Sequence, residues 1–293
     1  MKVIVKAYAK INLFLDVMSR RPDGFHNVQM IMQSIGLHDI VDIRPSKSNM
    51  IASDSVFVPA NKNNLAMRAA ILLQEEYNIP PVFIRLQKRI PVSAGLAGGS
   101  SDAAAVLLGC NALFNLALPV ETLMTLAARL GSDVPFCVYG NTAECVGRGE
   151  IVKPIHELCR CHVLIVKAPF GLSTASVYKA ITPAQISPRN QWFSDYITAI
   201  SNDDVDYLCT HLYNALEELS MRIEPRIAEM KRKLEIAGAG NICMSGSGPT
   251  LFGLYHTNED AWRNFKIASS LFNNVYLTTT NSSDLINSRV RLI

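Results

Sequence analysis

The chain has 293 residues, and 49% of them are hydrophobic, so it can bury one large domain core or two ordinary ones. Its 28 lysines and arginines nearly balance 25 acidic residues, which gives a net charge of +3 without a basic run. This balance argues against nucleic acid as a partner.

Neither a membrane segment nor a secretion leader is predicted. The stretch 103–120 carries no charge, but it contains Asn111, Asn115 and Pro119 and follows a glycine-rich loop, which favours a buried helix. Lysines at positions 2 and 6 interrupt any apolar leader. We therefore expect no membrane partner, and the early first motif leaves no room for a transit peptide, which favours a cytoplasmic, bacterial-type protein.

The seven cysteines are odd in number, scattered and mostly set in apolar sequence, as reduced core thiols are. This usage indicates a reducing compartment. Cys159, Cys161 and His162 lack the second ligand pair of an ordinary zinc site, so we expect no protein-bound metal there.

The first predicted element is a half-buried strand over Val3–Val17, because apolar residues occupy alternate positions. Lys10 and Asn12 would share its other face. The turn signal at 21–24 then presents Phe25 and His26 at the start of the next apolar segment.

Hydrophobic spacing predicts the remaining elements. In the first half they are a helix over 62–77, a strand over 82–87, helices over 101–116 and 120–130, and a hairpin over 136–153. In the second half they are a strand at 162–167, helices over 203–219 and 224–237, paired strands over 241–245 and 250–255, a helix near 259–272 and a strand at 275–280. Strands and helices mix without even alternation, so we predict an α+β fold with two domains, 1–155 and 156–293.

The stretch PVSAGLAGGSSDAAAVL, residues 91–107, follows a strand and opens a helix. Free backbone amides and the helix dipole at such a turn make an anion site, and small residues allow close approach. A phosphate site is therefore favoured over a tight connection in which Ser100 or Asp102 merely caps the helix. The sequence has no Walker A motif, dinucleotide fingerprint or protein kinase motif.

This loop resembles the central ATP loop of the GHMP kinase superfamily. KAYAKINLFLDV near the start and MSGSGPTLFGLY (244–255) lie where that superfamily has its other motifs. AKINLFLDV, RRPDGFHNVQMIMQSIGLHD and GSDVPFCVYG further resemble the members that phosphorylate a cytidine-diphosphate-linked methylerythritol on its 2-hydroxyl, in the non-mevalonate route to isoprenoids. The resemblance implies an N-terminal domain similar to ribosomal protein S5 domain 2 and a ferredoxin-like C-terminal domain.

The resemblance implies that Lys10 and Asp133 flank the substrate hydroxyl, with Asp133 as base or orienting group. A lysine beside this carboxylate would keep it ready to accept a proton. Without the resemblance, Lys10 would be interpreted as a solvated strand residue and Asp133 as a turn residue or cap.

Asn12 shares a strand face with Lys10, which suits a contact to the substrate. The resemblance assigns the substrate also to Phe25, His26, Thr174 and Tyr178, with the aromatic residues and the histidine around the cytosine. For Tyr178, packing in a helix core is the alternative.

ATP is assigned to the loop, and Asn64 is placed near the adenine. The residues assigned to ATP are Asn64, Pro91, Val92, Ser93, Ala94, Gly95, Leu96, Ala97, Gly98, Gly99, Ser100 and Ser101. Ala97, where relatives have glycine, and Asp102, where some have asparagine, are departures that should leave the loop usable. Mg²⁺ is expected from the chemistry. The 245–249 turn would lie against the active site or simply join two strands.

Three other functions stay open. Another GHMP kinase, such as homoserine kinase, would share the loop but not the Phe25, His26 and Asp133 context. A non-catalytic nucleotide-binding protein of this fold would have lost turnover, and an RNA-binding module would need a basic patch. The sequence does not indicate an oligomeric state.

Overall fold

A computed structural model of the chain describes residues 1–183, 186 and 188–293, and it combines two β-sheets with helices. The strands are β1 (Val3–Arg20), β2 (His26–Pro45), β3 (Met50–Ser53), β4 (Val82–Gln87), β5 (Thr142–Gly147), β6 (Ile151–Pro154), β7 (His162–Val166), β8 (Tyr213–Asn214), β9 (Cys243–Met244), β10 (Leu251–Tyr255), β11 (Val275–Thr279) and β12 (Val290–Leu292). The helices are α1 (Leu65–Tyr77), α2 (Gly98–Leu113), α3 (Val120–Ala128), α4 (Val134–Tyr139), α5 (Thr174–Lys179), α6 (Asn190–Ser201), α7 (Val205–Thr210), α8 (Glu217–Ile223), α9 (Pro225–Ile236), α10 (Asn258–Leu271) and α11 (Ser283–Asn287). The α+β prediction is confirmed.

The larger sheet is built around a long antiparallel hairpin of β1 and β2, with order β12-β1-β2-β4-β3. β5 extends β2, β6 pairs with β5, and β8 pairs with β1. The register between β1 and β2 shifts between Tyr8 and Lys10 and again between Asn12 and Phe14. These irregularities flank Lys10 and Asn12, where a bulge re-aims side chains.

The prediction that β1 is half-buried is wrong for its centre, where every residue from Ala7 to Val17 is buried. The physical reason is that β1 serves two cores. Ala7 and Leu15 pack in one cluster with α1 and α2, whereas Ile11 and Phe14 pack in a second cluster with residues of the second half of the chain. An alternating pattern of apolar residues indicates that one face of a strand is buried. It does not show whether a second core also covers the other face.

The smaller sheet is antiparallel, with order β11-β7-β10-β9. It consists of strands from the second half of the chain, but β8 and β12 from that half join β1 in the larger sheet. The division into 1–155 and 156–293 stays a prediction, since the last strand of the chain completes the first sheet.

Two predicted elements differ from the structure. The segment predicted as a hairpin over 136–153 begins inside α4, and only β5 and β6 form the hairpin. The predicted helix over 203–219 is two helices, α7 and α8, separated by β8. Both errors arise because a short apolar run does not distinguish a buried strand from a buried helix.

No helix in the described part of the chain is long and apolar enough to cross a bilayer. All seven cysteines are free thiols, and five of them are buried. The unpaired thiols agree with the reading of these cysteines as core residues.

Candidate active site

A cavity of about 970 Å³ opens between the start of α2, the centre of β1 and α5. Nearly every residue predicted to bind ATP or substrate lines it. Those residues are Lys10, Asn12, Phe25, His26, Asn64, Pro91, Val92, Ser93, Ala94, Gly95, Ala97, Gly98, Gly99, Ser100, Asp133, Thr174 and Tyr178. The structure thus gathers residues from well-separated parts of the chain around one space.

Two predicted ATP-binding residues lie outside the cavity lining. Leu96 is 1% exposed and packs in the core, and its carbonyl accepts a hydrogen bond from the Lys10 amide. Ser101 is buried, and its hydroxyl donates to the Tyr8 carbonyl at 2.6 Å. Their side chains hold the loop and α2 in place.

The glycine-rich loop, residues 91–97, turns directly into α2 at Gly98. Gly95 and Ala97 have positive φ angles of 74° and 59°. A Cβ at Gly95 would lie 2.3 Å from the Ser245 carbonyl oxygen, so only glycine fits there. α2 has no side-chain cap and no acidic residue in its first turn, so its amides and the positive end of its dipole form an anion site.

Asn64 is the N-cap of α1 and is 6% exposed. Its Oδ1 accepts a hydrogen bond from the Ala66 amide at 2.9 Å, and its Nδ2 donates to the Pro59 carbonyl at 2.8 Å. Asn64 therefore lines the cavity while its amide fixes the backbone around α1.

Lys10 and Asp133 line the cavity and form an ion pair there. The Lys10 Nζ lies 3.7 Å from the Asp133 Oδ2 and donates to the Asn12 Oδ1 at 2.8 Å. The lysine side chain is 4% exposed, whereas one third of the aspartate is exposed. The Asn12 Nδ2 contacts the Met30 Sδ at 3.4 Å, so both ends of the Asn12 amide are engaged. The pair places a fixed cation beside an accessible carboxylate.

The 245–249 turn joins β9 to β10 and also packs on the glycine-rich loop. The Ser245 hydroxyl donates to the Gly95 carbonyl at 3.1 Å. A Cβ at Gly246 would lie 3.3 Å from the Lys10 Nζ, which shows how closely the turn approaches the pair. The Ser247 hydroxyl lies 2.7 Å from that of Thr174. The turn therefore joins two strands and also lies against the Lys10–Asp133 pair, so it is more than a simple connection.

A buried ion-pair cluster beneath the loop was not predicted. The Lys88 Nζ contacts the carboxylates of Asp39 and Asp102, the latter at 2.5 Å, and none of the three side chains is more than 7% exposed. The Asp39 Oδ1 also accepts the amides of Arg89 and Ile90, at 2.5 and 2.8 Å. The cluster fixes the chain as it enters the loop. An aspartate inside the apolar run of α2 was the available sequence signal.

Two carboxylates and one ammonium group leave this cluster with one excess negative charge when all are ionised. Burial raises the pKa of Asp102 to about 7, although Lys88 opposes the rise. Burial alone would lower the pKa of Lys88, but Asp102 and Asp39 raise it above its usual range. Asp102 is among the residues that line the cavity, and its buried Oδ1 has no hydrogen-bond partner among the described residues.

The other end of the cavity holds the ring of His26 against Tyr178, with ring centroids 5.7 Å apart. His26 is 6% exposed, yet neither ring nitrogen has a partner in the described part of the chain. Burial lowers the pKa of His26, so its neutral ring offers one donor and one acceptor near neutral pH. Burial raises the pKa of Tyr178.

Phe25 stands at the rim of this end and is 54% exposed. The Arg148 guanidinium lies 5.2 Å from the centre of its ring. Arg148 was not singled out from the sequence. Its contact with Phe25 joins the β5–β6 connection to the turn between β1 and β2.

Comparisons with known proteins agree with this geometry. Residues 64–141 match the family described as GHMP kinases N terminal domain, and residues 186–267 match GHMP kinases C terminal. A 4-diphosphocytidyl-2-C-methyl-D-erythritol kinase from Shouchella clausii is 46% identical over 87% of this chain and 86% of its own. The Bacillus subtilis protein of that name is 43% identical over 94% of this chain and 96% of its own.

Solved structures give the same result. A crystal structure of 4-(cytidine 5'-diphospho)-2C-methyl-D-erythritol kinase superposes with a TM-score of 0.79 and 32% identity, covering 96% of this chain and all of the other. Homoserine kinase from Cytophaga hutchinsonii, at 19% identity and a TM-score of 0.74 over 100% and 97% of the two chains, shares the fold. The expected GHMP kinase fold is confirmed. The chain belongs to the GHMP kinase superfamily of ATP-dependent kinases and, within it, to the 4-diphosphocytidyl-2-C-methyl-D-erythritol kinase family.

Proposed function

We propose that this chain transfers the γ-phosphoryl group of ATP to the 2-hydroxyl of 4-diphosphocytidyl-2-C-methyl-D-erythritol. The observation that carries the proposal is the placement of the Lys10–Asp133 pair between two different recognition regions. One region offers backbone amides for phosphates, and the other offers aromatic faces and free histidine nitrogens for a base.

ATP binds with its phosphates over the loop and the first turn of α2, where the helix dipole favours negative charge. The predicted place of Asn64 near the adenine stays part of this proposal. Its side-chain amide is already bonded to the Ala66 amide and the Pro59 carbonyl. We therefore propose that Asn64 shapes the cavity wall around the adenine and does not bond to it.

The cytosine of the acceptor binds at the His26 end. The two unpartnered ring nitrogens of His26 match the donor and acceptor edge of a pyrimidine, and the Phe25 and Tyr178 rings supply apolar faces. Thr174, at the start of the helix that carries Tyr178, also lines the cavity. Asn12 orients Lys10 toward the hydroxyl.

In the reaction, Asp133 accepts the proton of the 2-hydroxyl while the oxygen of that hydroxyl attacks the γ-phosphorus of ATP. The new oxygen–phosphorus bond forms while the bond from the γ-phosphorus to the bridging oxygen breaks, and ADP leaves with the electron pair. Lys10 stabilises the charge on the transferring group.

Mg²⁺ fits the oxygen donors of this cavity. Magnesium is usually held by one or two carboxylates together with substrate phosphates, and it keeps several waters. Asp133, which is one third exposed, would be such a carboxylate, and Asp102 lines the same cavity. When bound, the ion neutralises part of the triphosphate charge.

Two further assignments belong to this proposal. The unpaired thiols favour a reducing compartment, which supports the cytoplasm as the location. A small molecule, rather than nucleic acid or a membrane, is the proposed partner, since a net charge of only +3 gives little overall attraction to a polyanion.

The test is an acceptor panel with purified protein and Mg-ATP. Phosphorus NMR should show a new phosphate monoester on the methylerythritol 2-hydroxyl, and homoserine should give no product. ATP turnover with homoserine, or none with the cytidine-linked acceptor, would reject the proposal.

A further inference from the structure

A buried arginine outside the cavity lining contacts α4, the helix that follows Asp133. Arg289 is 9% exposed, and its guanidinium donates to the carbonyls of Cys137, at 3.0 Å, and Val138. These carbonyls belong to the last turn of α4, where backbone acceptors have no partner within the helix. A cation is also favourable at this end of a helix.

α4 is the element that starts directly after Asp133, which is its N-cap. The helix has only six residues, so a displacement of its C-terminal end also moves its first residue. Gly140, which follows the helix, packs so closely on Ile286 that a Cβ there would lie 2.9 Å from that side chain. The segment around Arg289 thus fixes α4 by polar and apolar contacts.

The backbone of the same residue is bonded to the strand that carries Lys10. The Lys6 amide donates to the Arg289 carbonyl at 3.0 Å, and the following strand, β12, pairs with β1 at Val3–Val5. One residue therefore connects β1 to α4, and these two elements supply the two members of the pair.

The helix of the phosphate loop meets the same junction. The Ser101 hydroxyl of α2 donates to the Tyr8 carbonyl of β1 and lies 3.3 Å from the Cys137 Sγ of α4. Burial lowers the pKa of Arg289 to about 10, so the guanidinium stays charged near neutral pH. Three elements of the cavity thus converge on one buried polar junction.

We propose that Arg289 is a positioning residue that sets the distance between Lys10 and Asp133 for phosphoryl transfer. This inference rests on the proposed function, because it concerns the geometry of that reaction. Arg289 does not touch the cavity, so its loss should change the rate of transfer and leave the binding of both substrates nearly unchanged. A displacement of about 1 Å at reacting groups can cost about 100-fold in rate.

The test compares Arg289→Met with the matched variant Arg291→Met, which removes an exposed arginine two residues away. We expect kcat of Arg289→Met to fall about 10- to 100-fold, with KM for ATP and for the acceptor within about threefold of wild type. Arg291→Met should keep wild-type kcat. Arg289→Lys, which retains the charge but not the two-pronged geometry, should recover part of the rate.

Thermal unfolding of each variant shows whether the assay temperature leaves it folded. If Arg289→Met does not fold, the comparison of Arg289→Lys with Arg291→Met decides, and a kcat of Arg289→Lys reduced about 3- to 10-fold at unchanged KM supports the inference. A folded Arg289 variant with wild-type kcat, or a change confined to KM, would overturn it. An inactive wild-type protein would instead reject the proposed function, so the two failures are distinguishable.

Discussion

The two ends of the cavity are built differently. At the end proposed to bind the phosphates of ATP, the phosphate end, Lys10 is bonded to Asn12 and paired with Asp133, and Gly95 is held by the 245–249 turn. At the end proposed to bind the cytosine, the base end, Phe25 is half exposed and His26 has two ring nitrogens without partners in the described part of the chain. Apart from Asp102 Oδ1, the polar atoms named at the phosphate end are bonded within the protein, whereas both ring nitrogens of His26 at the base end lack a partner among the described residues.

This difference separates two tasks. Phosphoryl transfer depends on donors and charges that are fixed before the substrates arrive, so bonds within the protein serve catalysis. Recognition of a base requires donors and acceptors that are free until the ligand comes. Substitutions at the phosphate end should therefore affect stability and rate, and those at the base end should affect affinity for the acceptor.

The largest effect is expected from Lys88→Met, which leaves the buried carboxylates of Asp39 and Asp102 without a cation. Breaking a buried ion pair in this way costs about 3–5 kcal/mol of unfolding free energy. Lys2→Met, which removes the exposed pair with Asp42, should cost under about 1 kcal/mol. Urea unfolding measures the unfolding free energy of both variants. Equal losses of unfolding free energy would show that the buried cluster contributes no more stability than the exposed pair.

Gly95→Ala should be next, because its Cβ would collide with the Ser245 carbonyl oxygen. Displacement of the loop should lower kcat/KM for ATP about 100-fold. Gly238 also has a positive φ, of 81°, but has open space around it. Gly238→Ala therefore controls for backbone strain alone, and steady-state kinetics that show the same loss in both variants would refute the steric explanation.

His26→Ala tests the base end and should raise KM for the acceptor about tenfold, as expected for lost hydrogen bonds, with KM for ATP unchanged. His256→Ala, at an exposed site, is the control. Because burial lowers the pKa of His26, the ring stays neutral to lower pH than a free histidine, and acceptor KM in the wild type should rise only as acid protonates the ring. An equal rise in both KM values would contradict the separation of the two ends.

The smallest effect is expected from Ala97→Gly. Relief of the left-handed conformation gains about 1–2 kcal/mol, and the greater freedom of the unfolded chain offsets about 0.4–1 kcal/mol. A net gain of about 1 kcal/mol should raise Tm by a few degrees. Ala112→Gly, inside α2, should lower Tm. A lower Tm for Ala97→Gly would show that Ala97 is not strained.

Local signals predicted β4 with its observed bounds, the loop and the helices α1, α2, α3, α9 and α10, because periodicity and glycine content are properties of short segments. Non-local contacts were not predictable. Lys88 meets Asp39 across 49 residues, and Arg289 meets Val138 across 151. β12, at the far end of the chain, completes a sheet that begins at Val3.

The sequence predicted most of the residues that line the cavity, but it did not predict the distances between them. The motifs named Lys10 and Asp133, but the distance of 3.7 Å between their charged atoms follows from how β1 packs beside α4. Leu96 and Ser101 illustrate the limit, since a loop motif does not show which of its side chains turn inward. Arg148 stood in no quoted motif, and only the fold brings it to Phe25.

In the proposed reaction, Asp133 receives the hydroxyl proton while the loop holds the triphosphate. Single-turnover transfer by Asp133→Asn, measured beside calorimetric binding of a non-hydrolysable ATP analogue, separates these two roles. We expect the transfer rate to fall at least about 100-fold with nucleotide affinity and Tm unchanged. A wild-type transfer rate in the folded variant would contradict the claim.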